Sequence, residues 1–368
     1  MRVVQVSFDH LRRYAIARSL FRPTTLQRAV RKLGFIQADP IRAPARAQDL
    51  TLRHRVVGYL AGDLERRYQR LPLEEDYFVN YGYVLRDHHG LMHPRTPRSP
   101  WSSARENQAK ALLEFVGARG TAHPRIVDRH FAHGKILNWF GGSTNATTRL
   151  LDEMHYRGLL RVARRESGTR VYAVRETEVA AAAVDAAGVD ARIDALVDVI
   201  VHKYAPLPAR TLGQLLSHLK SGVPQWASHR AAALERATKR LARVRVDGID
   251  WYWPAGETPT SARWRPDEDV RLLTPFDPVV WDRRRFEIFW GWAYRFEAYT
   301  PAPKRKLGYY ALPLLWHERV IGWGNLSVSA GKLSSTFGYV KGCPPRAAAY
   351  RRGLEAELER MRTFLDLD

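Results

Sequence analysis

The sequence predicts an α+β fold: tandem winged-helix (helix-turn-helix) units followed by a small C-terminal β-barrel domain. The plan helix, helix, helix, hairpin occurs twice. It closes once at the Ser-Gly turn of RVARRESGTRVYAV and once at the Asp-Gly turn of ARVRVDGIDWYW, and Asp-Gly between strand-like runs is a strong hairpin signal. Beyond residue 268 the chain turns aromatic, β-branched and rich in turns, as a small sheet or barrel would be.

Taken in order, Ser7 is placed to cap a helix through SFDHLRRYAIARSLF, and Pro23 breaks the chain after it. A second helix, TTLQRAVRKLG, ends at Gly34, and FIQAD reads as a short extended segment. The acidic, aromatic tract 61–80 reads as helix, and PRTPRSPWSSA (94–104) as a linker. These signals divide the chain into 1–100, winged-helix-like and carrying a Gln-x-Asp motif; 101–180 and 190–262, a second and a third winged helix; and 266–368, the barrel-like domain with a C-terminal helix.

Charge points to the partner. Lys plus Arg number 59 against 38 Asp plus Glu, a net charge of +21 and a pI of about 10.3. A field of that sign collects polyanions, and arginine, much the commoner cation here, grips phosphate in bidentate fashion. Nucleic acid is the expected partner on charge, and repeated winged-helix units on so basic a chain favour double-stranded DNA; no protein partner is predicted. Cys343 stands alone, which rules out an intrachain disulfide and cysteine-based zinc or iron–sulfur sites. No apolar run approaches a membrane span and the N-terminus lacks signal-peptide character, so a cytoplasmic location is expected.

Motifs that bind cofactors are missing: no Walker loop, no GxGxxG after a strand, no HExxH. His88, His89 and His93 match no metal-ligand spacing, and neither a cofactor nor a metal is expected. What remains is GFIQADPIRAPARAQDL (34–50). Residues i and i+2 of an extended chain face one way, so Gln37 and Asp39 point together, and Pro40 disfavours helix at Asp39. A carboxylate takes a proton from water, and a neighbouring amide holds that water. The plainer reading has Asp39 capping a turn and Gln37 bonding to backbone. Spacing alone favours it.

The tract LGFIQADPIRAPARAQDLTLR resembles the catalytic region of the winged-helix DNA glycosylases of the AlkZ/YcaQ kind, in their Gln-x-Asp version. A second tract resembles their C-terminal signature: LLTPFDPVVWDRRRFEIFW through a basic turn to GYY, with Trp281, Asp282, Arg283 and Arg285 at the matching positions. The resemblance covers nearly the whole chain. It implies Asp39 as general base or oxocarbenium stabiliser and Gln37 as the group that positions water. Its matches Arg283 and Arg285 are by implication architectural or DNA-facing, and the sequence itself offers further DNA contacts: Arg42 and Arg46 after the motif, Arg164, Arg165 and Arg170 around the first wing, and the basic turn Lys304, Arg305, Lys306. The implied substrate is DNA with alkylated or crosslinked purines. Alkylation at guanine N7 charges the base and weakens its glycosidic bond, so one carboxylate and one amide suffice. No lysine adjoins the pair in sequence, which points to hydrolysis without lyase chemistry. The rival reading is a winged-helix regulator that binds DNA without catalysis.

Overall fold

A computed structural model describes residues 5–96, 99–132, 134–137, 143–176 and 186–367. Their contacts divide the chain into two compact units: Met1–Leu64, Val197–Leu215 and Leu234–Asp368 form one, Glu65–Leu196 and Leu216–Ala233 the other. Both helices and antiparallel sheets are present, so the fold is α+β. Among the described residues no helix is long and apolar enough to cross a membrane.

In the first unit, Ser7 caps helix α1 (Phe8–Ser19) through a capping box with His10. Thr25 caps α2 (Leu26–Leu33), which buries Leu26, Ala29, Val30 and Leu33. Gly34 closes α2 at φ +67°, a conformation other residues adopt only under strain. That sharp exit delivers the chain directly into strand β1 (Phe35–Gln37). Helix α3 (Ala47–Leu52) follows and is buried along its length. The unit is not built from neighbours in sequence. Ile16 of α1 and its C-cap residue Leu20 share one core with Leu273, Val280, Phe286, Tyr294 and Leu315.

The expected C-terminal barrel is an open sheet. Its four antiparallel strands are Val270–Leu272, Leu312–Trp316, Arg319–Ser329 and Lys332–Tyr339, in that order, and among the described residues the order does not return on itself. The outer edge of Val270–Leu272 shows why. Backbone groups at an open edge need partners, and here side chains supply them. The Glu357 carboxylate accepts from Leu272 N–H at 2.8 Å, Arg360 donates to the Val270 carbonyl at 2.8 Å, and Arg53 and His54 both donate to the Leu272 carbonyl at 3.0 Å. Glu357 and Arg360 belong to the C-terminal helix Ala348–Leu365. A helix therefore occupies the place where a closing strand would pair.

In the second unit the tract 61–80 differs from the helix expected of it. A short helix, Asp63–Arg67, gives way to a hairpin of Leu73–Tyr77 and Tyr81–Leu85. The acids Glu74, Glu75 and Asp76 lie on the first strand of that hairpin. All three are buried, and each meets arginine: Glu74 with Arg161 at 2.6 Å, Glu75 with Arg165 at 2.7 Å, Asp76 with Arg95 at 2.7 Å. Buried carboxylates persist only when so paired.

Helices Ser103–Arg119, Pro124–Phe131 and Ala146–Arg157 precede the hairpin Leu160–Glu166/Thr169–Val174. Later, Ala186–Tyr204, Ala209–His218 and Arg230–Arg240 precede the hairpin Ala242–Val246/Ile249–Trp253. Its turn residues Asp247 and Gly248 both have positive φ, +46° and +77°, as a two-residue hairpin loop of this handedness demands.

Candidate active site

Strand β1 ends on Gln37, and Asp39 lies in the turn beyond. Asp39 is 9% exposed. Its Oδ1 accepts the Ile41 N–H at 2.9 Å, a local turn of the kind Asp favours, and its own N–H donates to Oε1 of Gln48 on α3 at 3.3 Å. The turn-capping role is thus real, but it uses one oxygen. Oδ2 makes no hydrogen bond to any described residue. Burial raises the Asp39 pKa above the ordinary carboxylate value, and the Ile41 N–H only partly offsets that. The result is a carboxylate more basic than an exposed one, with one oxygen uncommitted.

Gln37 Oε1 has a side-chain partner that the spacing of the motif does not suggest. The indole Nε1–H of Trp281, 244 residues further along the chain, donates to Gln37 Oε1 at 3.1 Å. The surroundings hold Trp281 firmly. Its N–H donates to the Asp277 carbonyl at 2.8 Å, and its ring lies 4.9 Å from that of Tyr204. Asp277 in turn forms a fully buried pair with Arg55, with two bonds of 2.8 and 3.0 Å.

Lys203 approaches the same strand. It is 4% exposed, donates to the Phe35 carbonyl and lies 4.5 Å from the Phe35 ring centre. Burial first, and the Arg55 charge second, bring its pKa down to about 7. Sequence neighbourhood gave no hint of this lysine. Tyr299 and Tyr310 also feel the Asp39 charge: burial is the main cause of their raised pKa values, and Asp39 adds to it. Tyr299 is 79% exposed.

The arginines expected on DNA fall into two groups. Arg42, Lys304 and Lys306 are exposed, and Arg46 and Arg305 half-buried. Arg305 donates to the Thr300 carbonyl at 2.8 Å and lies 4.9 Å from the Tyr309 ring centre. The others do internal work. Arg285 is 1% exposed and donates to the carbonyls of Tyr204, Pro206 and Pro278. Arg283 donates to those of Val280 and Pro275 at 2.7 and 3.0 Å. In the wing, Arg164 pairs with Glu166 at 2.6 Å, Arg165 with Glu75, and Arg170 with Asp152 at 2.9 Å. Acids near and far in sequence absorb much of the charge that looked available.

The histidines of the second unit also turn inward. Asp76 Oδ2 accepts from His89 Nε2 and His93 Nε2, each at 2.8 Å, while Oδ1 accepts from Arg95 at 2.7 Å. Asp76, His89 and His93 form a group that could surround a cation. Its chemistry argues otherwise. The ring nitrogens spend their protons on the carboxylate, and a buried guanidinium already neutralises it, so a dication would meet Arg95 in a dry interior.

A model of the AlkZ-like DNA glycosylases matches residues 30–364. The chain belongs to this family. The solved structure of Streptomyces sahachiroi DNA glycosylase AlkZ is similar to it, with a TM-score of 0.63 and 13% identity, over 99% of this chain and 98% of that one. At that identity the likeness is one of fold. Within this AlkZ-like glycosylase, the family model spans both β1 and the Trp281 segment that the structure brings together.

Proposed function

We propose that this AlkZ-like chain is a monofunctional DNA glycosylase that hydrolyses the N-glycosidic bond of N7-alkylguanine, including adducts that crosslink two strands. The observation that carries the reading is the state of Asp39: buried, raised in basicity and with Oδ2 uncommitted, two residues from a fixed amide. N7 alkylation gives the base a positive charge, so it departs neutral, with the glycosidic electron pair, and needs no acid. Cationic character develops on the sugar, which Asp39 stabilises by charge; Asp39 then takes a proton from the water that adds to C1′. Lys203 is spent on the Phe35 carbonyl in the interior, which supports hydrolysis over Schiff-base chemistry.

The two runs of three helices and a hairpin we read as winged helices that lie along duplex DNA, with the exposed Arg42, Lys304 and Lys306 on phosphates. Because phosphate contacts release counterions, affinity will fall steeply as salt rises, and Lys304→Ala/Lys306→Ala will flatten the log–log salt slope by about one per contact removed. Fluorescence anisotropy over a salt series measures this; an unchanged slope removes the basic turn from the interface.

The reading itself is tested on duplexes carrying single N7-methylguanine or a defined N7–N7 crosslink. Wild type will release free base and leave an intact abasic strand, with no adduct trapped by borohydride. Binding without release identifies a regulator instead, and a trapped adduct identifies a lyase.

A further inference from the structure

Resting on that reading, we propose that Trp281 is a positioning residue that fixes Gln37 as a hydrogen-bond donor in the hydrolytic step. An indole N–H donates and never accepts. The amide atom 3.1 Å from Trp281 Nε1 is therefore the carbonyl Oε1, and the usual ambiguity between the ends of a glutamine amide is removed. The NH₂ end is thereby assigned as the donor end of the amide. A hydrogen bond to a carbonyl also polarises the amide and strengthens its N–H donors.

This assigns a geometry to the attacking water. Its oxygen accepts from Gln37 Nε2–H through one lone pair, the other lone pair faces C1′, and one O–H points to Asp39. The C1′–N9 bond breaks with its electrons leaving on the base, the C1′–O bond forms, and the proton passes to Asp39. Gln37 neither gains nor loses a proton.

The surroundings make the Trp281 orientation costly to change. Tyr204 packs against the indole, and Arg285, 1% exposed, ties down the Tyr204 and Pro206 carbonyls. The Trp281 N–H is bonded to Asp277, whose carboxylate is held by Arg55. A group merely filling space would not need its polar atom aimed across 244 residues of sequence at one side chain of the motif.

Trp281→Phe keeps a ring against Tyr204 and deletes the donor. Under single-turnover conditions its rate of base release will fall about tenfold, the loss of one such hydrogen bond, while the Kd for lesion DNA stays within about twofold. In a Gln37→Ala background the same change will cost nothing further, because the two act as one unit. Gln37→Glu, which still accepts from Trp281 but presents no N–H, will be as slow as Gln37→Ala.

A full rate in Trp281→Phe, an equal loss in both backgrounds, or a wild-type rate in Gln37→Glu would each overturn the proposal. A second readout does not depend on activity. In protein labelled with ¹⁵N-tryptophan, one of the 11 indole signals, assigned by its absence in Trp281→Phe, will shift upfield in Gln37→Ala. An unmoved signal means the bond does not exist. If wild type releases no base yet the signal shifts, the substrate reading fails and the Gln37–Trp281 coupling stands.

Discussion

Asp39→Asn will release N7-methylguanine at least about a hundredfold more slowly than wild type, the usual worth of a positioned general base, yet it will melt no lower. The two halves have one cause. Asparagine keeps an oxygen to accept the Ile41 N–H, so the turn survives. What it removes is a charge that burial disfavours. The folded-state pKa of Asp39 lies above the ordinary value, so its contribution is fully favourable only at low pH and is lost as pH rises through the folded pKa. At neutral pH the ionised group costs stability, and a neutral isostere is relieved of that cost. Calorimetry beside a base-release assay checks both halves. A variant that is slow because it is unfolded would melt early and void the catalytic assignment.

Arg55→Met will destabilise the first unit by about 3–5 kcal/mol, the usual result of stripping one partner from a buried ion pair. Both Arg55 and Asp277 have fully buried side chains, and Arg55 also donates to the carbonyls of Ser19 and Thr51. Removal leaves a carboxylate alone in the interior and two carbonyls unmet. The melting temperature should fall by about 10 °C. Arg55→Met/Asp277→Leu should recover much of the loss, since no charge is then left alone. Activity should decline with Arg55→Met as well, because the turn starting at Asp277 carries Trp281. Wild-type stability in Arg55→Met would show the pair to be inert.

The local geometry of the candidate site was legible because its signals are local. Pro40, Gly34 and the spacing of Gln37 and Asp39 act within a few residues, and the Asp-Gly turn closes its hairpin by its own φ values. What escaped depends on distant partners. Glu74, Glu75 and Asp76 read as part of a helix because their partners Arg161, Arg165 and Arg95 are not neighbours in sequence. The pairing with Glu75 also withdrew Arg165 from the wing arginines expected on DNA. The barrel was expected from strand composition, which does not reveal that Glu357 and Arg360 cap the edge strand. Trp281 could be quoted from a motif, but its bond to Gln37 follows only from the folded chain.

The pH dependence of single-turnover base release, corrected for spontaneous loss, tests the central claim most directly. If Asp39 is the base, the rate will climb with pH along a limb whose midpoint lies above the ordinary carboxylate pKa, because burial raises it, and level off once the group is ionised. That limb will be missing from the residual rate of Asp39→Asn. The same limb with the same midpoint in Asp39→Asn would contradict the account and place the base elsewhere.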